Sequence, residues 1–329
     1  MRPNIALVGA GAIAQTFYLP ALARRRQEFN RIWVIDPDNR ARQSARSIVD
    51  LNEGSVLADA IDDLQFVIIA SPNAYHFSAA REALDRNAHL LIEKPFVIWP
   101  DDGRALIQLA KTRSRIIAIN QTRRVFPIAK ELRTSIVAGE FGALTSISHT
   151  EGVKLNWPFS SGAGFSPGAQ RTGVIMDIGV HVIDFYQYLF DPVWTLVSAV
   201  HDGFRGPEGL GELHLKANNA PVSIRLSRYQ KQDNAARLNF SDAQVRVDLT
   251  DQNSYFVVFN LDGVERRVMV ESRATDFMFY SEPILTNFLA AGLGREKPIC
   301  DAASSLPVIC ILDEIYRRAS RYSEVIGAV

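Results

Sequence analysis

The chain has 329 residues, 47% hydrophobic and 22% charged, and its 36 Lys and Arg are balanced by 36 Asp and Glu. Zero net charge excludes the basic excess of a general nucleic-acid or anionic-membrane binder, and no apolar run reaches the roughly 18 residues of a membrane span. Two cysteines, Cys300 and Cys310, exclude a disulfide framework and a cysteine-type metal site, and point to a cytoplasmic protein.

The first element is IALVG (5–9), followed by small residues and a second apolar run ending near Leu22. A secretory signal peptide has this outline, but Gly9, Gly11, Gln15 and Pro20 interrupt it where a turn and a helix would. RIWVID (31–36), FVIIAS (66–71), HLLIEKP (89–95) and RIIAIN (115–120) read as further strands. Helix-like segments at 37–50, 74–87 and 100–113 lie between them. Strands alternating with helices predict βαβ units, and near-continuous Ile, Val and Leu predict a parallel sheet covered on both faces.

The texture changes after residue 122. A helix at 126–140 leads into ALTSISHTEG (143–152), a Gly, Ser and Pro-rich stretch (157–173) and a helix at 174–190. Seven alternating runs then extend from Trp194 to Glu271, several joined by turns such as Asn218-Asn219 and Asp262-Gly263. They predict a large, mostly antiparallel open sheet in an α+β domain with one wetter face. A helix at 304–324 closes the chain. The expected division is a Rossmann domain over 1–122 and an α+β domain over 123–329, with the last helix packing back on the first domain. There are no internal repeats.

Gly9-Ala10-Gly11-Ala12-Ile13-Ala14 is a GxGxxA element after a strand and before a helix, the context that gives it meaning. Gly9 permits the tight turn, Gly11 lets the backbone approach a pyrophosphate, and Ala14 lets helix and strand pack closely. Amides at the helix start, near Ala12 and Ile13, then meet the anion. Asp36, closing the second strand, is placed to bond ribose hydroxyls and repel a 2′-phosphate, which favours NAD over NADP. Arg40 is the nearest cation that would attract such a phosphate. Asp36 equally reads as a cap for the helix starting near Pro37.

Two groups of reactive residues follow. Lys94 ends a predicted parallel strand, where open α/β sheets bind ligands, so its ammonium is placed either to stabilise a developing alkoxide or simply to meet solvent before Pro95. Asp177, His181 and Asp184, spaced i, i+4 and i+7, share one face if helical. His181 is then a candidate acid/base with Asp177 orienting it; the plainer reading is a core histidine. A metal site on the Asp177–His181 spacing lacks an evident third ligand.

GAGAIA (9–14), ASPNAYH (70–76), Glu93-Lys94-Pro95, NQTRRVFP (120–127) and TGVIMDIGVHVID (172–184) together make the whole chain resemble the Gfo/Idh/MocA oxidoreductases. The family's usual Gly-Gly is Thr172-Gly173 here. The resemblance implies Lys94, Asp177 and His181 as catalytic residues. It implies cofactor contacts at Gly9, Gly11, Ala12, Ile13, Asp36, Arg40, Ser71, Pro72, Asn73, His76, Glu93, Lys94 and Gln121. Lys94-Pro95 becomes a candidate cis peptide. Arg123, Lys154, Asn156, Trp157, Arg171 and Asp184 are candidates for the substrate. The expectation is an NAD(P)-dependent enzyme acting on a secondary alcohol or ketone of a sugar, sugar derivative or cyclitol, assembled as a homodimer or homotetramer through the C-terminal sheet. The alternatives are a non-catalytic dinucleotide-dependent regulator, and a reductase of a non-sugar C=O, C=N or C=C bond.

Overall fold

The computed structural model describes residues 2–154, 171–203, 206–271 and 281–322. They fall into two compact units. Residues 2–122 and 281–306 form the first, and 123–154, 171–203, 206–271 and 307–322 form the second.

In the first unit, strands β1 (Ile5–Val8), β2 (Ile32–Ile35), β3 (Asn52–Gly54), β4 (Phe66–Ile69), β5 (His89–Ile92) and β6 (Ile117–Ile119) form one sheet, every pair parallel. Its order is β3-β2-β1-β4-β5-β6, the doubly wound arrangement that reverses direction between β1 and β4. The central strands are apolar at every position because helices cover both faces; Phe66, Val67, Ile68 and Ile69 are all buried. The short edge strand β3 (NEG) carries no such run, so pattern alone does not reveal it.

Helix α1 (Leu19–Arg24) follows a wide π turn at Ala14–Tyr18. Next come α2 (Asn39–Arg46), α3 (His76–Asp85) and α4 (Pro100–Arg113). Helix α4 shows its limits in sequence: Pro100 opens it, Asp101 and Asp102 lie in its first turn, Lys111 and Arg113 in its last, and Ser114 ends it at φ 54°. Helix α7 (Ser281–Gly292) also belongs here, its Phe288 packed edge-on against Phe66 at 5.3 Å. The returning segment is therefore α7 and the first residues of α8 (Ala302–Arg318); from Pro307 onward α8 belongs to the second unit rather than packing back whole.

In the second unit, α5 (Pro127–Val137) precedes β7 (Leu144–Gly152). A π turn at Ile175–Gly179 opens directly into α6 (Val180–Phe190). Strands β8 (Trp194–His201), β9 (Leu210–Ala217), β10 (Ala220–Ser227), β11 (Ala235–Phe240), β12 (Ala243–Asp248), β13 (Ser254–Phe259), β14 (Glu265–Met269) and β15 (Ser320–Arg321) follow. The nine strands are ordered β14-β13-β12-β11-β7-β10-β9-β8-β15. All pairings are antiparallel except β7–β10 and β8–β15. Alternation is clean: in β10, Val222, Ile224 and Leu226 are buried while Ser223 and Arg225 are exposed. Ser148, His214, Lys216 and Arg237 extend the exposed, polar positions across neighbouring strands.

Helix α6 is buried almost all round, so its polar groups find partners inside the protein. Asp184, fully buried, takes a bidentate pair from Arg124 at 2.6 and 2.9 Å. The Tyr186 hydroxyl donates to His149 Nδ1 at 2.8 Å, which leaves Nε2–H to donate to Glu151 Oε2 at 3.1 Å. Asp184→Ala removes the bidentate carboxylate from buried Arg124 and is expected to destabilise the second unit by about 3–5 kcal/mol, read as a lower urea midpoint.

Burial lowers His76 and His149, and brings His89, beside Arg115, down to about 4. Unfolded histidines bind protons near pH ~6.5, before the folded ones do, so stability falls as pH drops from there toward 4. Glu151, pushed up by burial but brought lower overall by the Arg123 charge together with the hydrogen bonds of His149 and Arg123, acts in the same sense at lower pH, whereas the raised Glu208 opposes it. Urea midpoints at pH 7 and pH 5 should show the loss.

Candidate active site

At the nucleotide turn Gly9 has φ 95°, and a Cβ there would lie 2.6 Å from both Ala70 O and Ser71 N. Only glycine combines that backbone angle with that approach. Asp36 holds the turn: Oδ2 accepts from Ala10 N at 2.8 Å and Oδ1 from Asp38 N at 2.8 Å. The helix cap is Asp38, whose Oδ1 accepts from Arg40 N, and not Asp36. Arg40 is exposed; Arg42, which pattern did not single out, donates to the Asp36 carbonyl.

At the ends of β4, β5 and β6 the polar groups are concentrated. Glu93 is buried; its Oε1 accepts from Tyr18 Oη at 2.7 Å and Asn120 Nδ2 at 2.6 Å, and its Oε2 from Lys94 N at 3.2 Å. Burial and the adjoining carboxylate raise the Tyr18 phenol well above its ordinary value, keeping it a donor. The Lys94–Pro95 peptide is cis, and Lys94 is half-buried. His76, fully buried, has Nδ1 2.8 Å from Pro95 O and Nε2 2.8 Å from Ser71 O, so it braces two loops rather than facing solvent. Pro72 is exposed and Asn73 half-buried beside it. Gly11, Ala12 and Ile13 are half-buried at the helix start.

Several buried polar atoms here lack a protein partner: Ser71 Oγ, Asn120 Oδ1, both amide atoms of Gln121 and Thr122 Oγ1. Unpaired buried polar atoms are costly and rare in native proteins. Their presence on strand ends next to a glycine cradle fits a bound nicotinamide dinucleotide, whose phosphates, riboses and carboxamide offer the missing partners.

The second unit carries the other reactive residues. Asp177 lies in the π turn and His181 in the first turn of α6, both half-buried. Against the expectation of three reactive residues sharing one helical face, Asp184 is fully buried while Asp177 and His181 are half-buried. Asp184 serves α6 packing, its two oxygens held by Arg124. Asp177 is paired with Arg228, which follows β10. Arg123 gives both guanidinium nitrogens to Glu151, at 2.7 and 3.0 Å, and Arg171 pairs with Asp313 at 2.8 Å. Lys154 is exposed, while Asn156 and Trp157 lie outside the described residues. Arg228, Glu151, Tyr18 and Asn120 escaped the sequence because their partners are distant in the chain. Among the described residues no group of three or more His, Cys, Asp or Glu is placed to hold a metal, and no helix is long and apolar enough to cross a membrane.

One unit carries a glycine turn at the reversal point of a parallel sheet and the other a half-buried Asp and His, the two-part make-up of a dinucleotide-binding oxidoreductase. Residues 3–121 match the model of an oxidoreductase family with an NAD-binding Rossmann fold, and residues 129–247 match the GFO/IDH/MocA C-terminal domain. The chain belongs to the GFO/IDH/MocA family.

It is 26% identical over 198 residues to glucose-6-phosphate 3-dehydrogenase of Bacillus subtilis, covering 57% of this chain and 54% of that one. It is 34% identical over 122 residues to UDP-N-acetylglucosamine 3-dehydrogenase of Acidithiobacillus ferrooxidans, covering 37% and 34%. These matches thus span about a third to a half of each relative's length. The crystal structure of a 3-ketoreductase from Actinomadura kijaniata, in complex with NADP and TDP-benzene, superposes with a TM-score of 0.82 at 15% identity, covering 98% of this chain and 99% of that one.

Gly9→Ala should weaken NADH binding by about tenfold or more, because the added Cβ must push Ala70 and Ser71 away. Titration by NADH fluorescence measures it; unchanged binding would remove the cradle from the site.

Proposed function

We propose that the chain is a nicotinamide-dependent dehydrogenase or reductase acting on a secondary alcohol or ketone of a sugar, with the ring 3-position as the reacting centre and NAD as the cofactor. The observation that carries the reading is the division between the acidic groups of the 175–190 segment. Asp184 is consumed by the core, whereas Asp177 and His181 stay half-buried where a substrate can reach them. The 3-position is supported by the two curated relatives, both 3-dehydrogenases of hexose derivatives. NAD is supported by Asp36, whose carboxylate closes β2 where a 2′-phosphate would have to sit.

A bound nicotinamide supplies the hydride acceptor in oxidation and the hydride donor in reduction. In the oxidation direction the His181 imidazole accepts the proton of the substrate hydroxyl. Asp177 accepts a hydrogen bond from His181 or from a substrate hydroxyl. The Lys94 ammonium stabilises negative charge on the reacting oxygen. Glu93, held by Tyr18 and Asn120, fixes the backbone that carries Lys94. Gly9, Gly11, the amides of Ala12 and Ile13, Asp36, Ser71, Asn73 and Gln121 hold the dinucleotide, and Lys154 and Arg171 contribute to the substrate side. The exposed face of the nine-stranded sheet is the proposed surface for a homodimer or homotetramer, which light scattering would weigh.

The test is reduced-cofactor formation with NAD and with NADP across glucose 6-phosphate, alkyl glucosides, UDP-N-acetylglucosamine and inositols. Turnover of one class, faster with NAD, is expected. Lys94→Ala and His181→Ala should each lower kcat by about 10²–10⁴-fold while the NADH dissociation constant changes little. Full activity in both variants would overturn the assignment. Silence of the wild type across the panel and in the reverse direction, with NADH still bound, would favour a dinucleotide-dependent regulator.

A further inference from the structure

A buried acidic and phenolic pair in the second unit has no part in the reading above. Glu208 precedes β9 and is 5% exposed; Tyr316 lies near the end of α8. Tyr316 Oη donates to Glu208 Oε1 at 2.6 Å. The same Oε1 accepts from Ile175 N at 3.1 Å, and Tyr316 Oη accepts from Met176 N at 3.1 Å. The Glu208 carbonyl accepts from Val174 N at 2.8 Å. Three successive amides that open the 175–190 segment are thus satisfied by two residues from elsewhere in the chain. The residue at the cap position, Val174, has no side chain able to do so.

The surroundings hold the pair in place. Arg171, paired with Asp313, lies over the Tyr316 ring at 5.4 Å. A Cβ on Gly173 would sit 2.2 Å from Glu208 Cδ, so the carboxyl fills the space that the missing side chain leaves. Burial raises the Glu208 carboxyl, and burial together with Glu208 raises the Tyr316 phenol. The phenol therefore stays a donor at neutral pH.

We infer that Glu208 and Tyr316 are positioning residues that clamp the opening of the 175–190 segment and so set where Asp177 and His181 stand. The amide of Asp177 itself bonds Gly173 O at 2.9 Å, directly beside the clamp, and His181 follows one turn later. A negative or acceptor-rich group at this end also matches the positive end of the helix dipole. Gly173 is then required as clearance for Glu208, whereas Thr172 beside it tolerates a side chain.

The inference rests on the proposed roles of Asp177 and His181, so its test has a readout independent of turnover. Hydrogen exchange would be followed in Glu208→Ala, Glu208→Gln, Tyr316→Phe and Gly173→Ala, with kcat, KM and NADH affinity measured beside it. Glu208→Ala should speed exchange at 174–178 by about five- to a hundredfold, the span expected for unsatisfied buried groups, with β1–β6 unchanged. Its kcat should fall by a similar factor while NADH affinity holds. Glu208→Gln keeps an oxygen acceptor and should restore most of both losses. Gly173→Ala should resemble Glu208→Ala, and Tyr316→Phe, which removes one hydroxyl and little volume, should show a smaller effect of the same kind.

Unchanged exchange at 174–178 in both Glu208→Ala and Tyr316→Phe would overturn the clamp. So would faster exchange with undiminished kcat, since the pair would then be structural only. Equal failure of the Gln and Ala variants with loosening throughout the second unit would also overturn it. If the wild type turns over nothing, the sugar-enzyme reading fails, and the exchange pattern still decides whether the clamp exists.

Discussion

Everything in the second unit follows from burying the segment 175–190 on nearly every side. A helix so enclosed cannot leave polar groups to water, so each one is answered from a different part of the chain. Glu208 and Tyr316 answer its opening amides, Arg124 answers Asp184, and His149 answers Tyr186. Each is an interaction between residues far apart in sequence, and each fixes the helix in rotation as well as in place. His181 stands in the first turn of this anchored helix. In its proposed role as proton acceptor it gains from a support whose own hydrogen bonds are already satisfied, because positional error of an ångström is costly in rate.

The first unit solves the opposite problem. There the polar atoms at the strand ends are left without protein partners, while the carboxylate of Glu93 is fully engaged. Under the proposed reading, the contrast separates residues that build the site from residues that would hold the dinucleotide. Gln121, with both amide atoms buried and unpaired, and Ser71 belong to the second kind; Tyr18, His76 and Asn120 do most of their work on the protein itself.

Much of this was legible in the sequence, for physical reasons that differ by element. The parallel strands were readable because burial on both faces demands unbroken apolar runs, and α4 because its Pro, Asp, Lys and Arg stand at the ends that favour them. The glycine turn was readable because its backbone angle and close approach exclude other residues. Edge strand β3 was not, since an edge needs no apolar run. Asp184 was ambiguous: spacing placed it with Asp177 and His181, but in the fold it is fully buried and both its oxygens go to Arg124. Its Arg124 partner lies 60 residues away, beyond the reach of any local pattern. Glu208 carried no signal, because an acidic residue in a loop looks solvated until Tyr316 and Gly173 are seen against it.

The return of α7 and the start of α8 to the first unit has a consequence for how the chain is made. Phe288, packed on Phe66, and Cys300 O, which accepts from Ile119 N, reach the parallel sheet only after most of the second unit has been synthesised. The N-terminal βαβ repeat can assemble early from local contacts, but its outer covering waits for residues translated late. During that interval part of the β4–β6 region stays uncovered. Strand β7 waits as well, flanked by β10 and β11, whose residues follow it by more than 60 positions. Long-range closure of this kind slows folding and lengthens the exposure of apolar surface. A stop or frameshift shortly before residue 281 would therefore damage the first unit, although most of it had already been synthesised, as well as removing the end of the second.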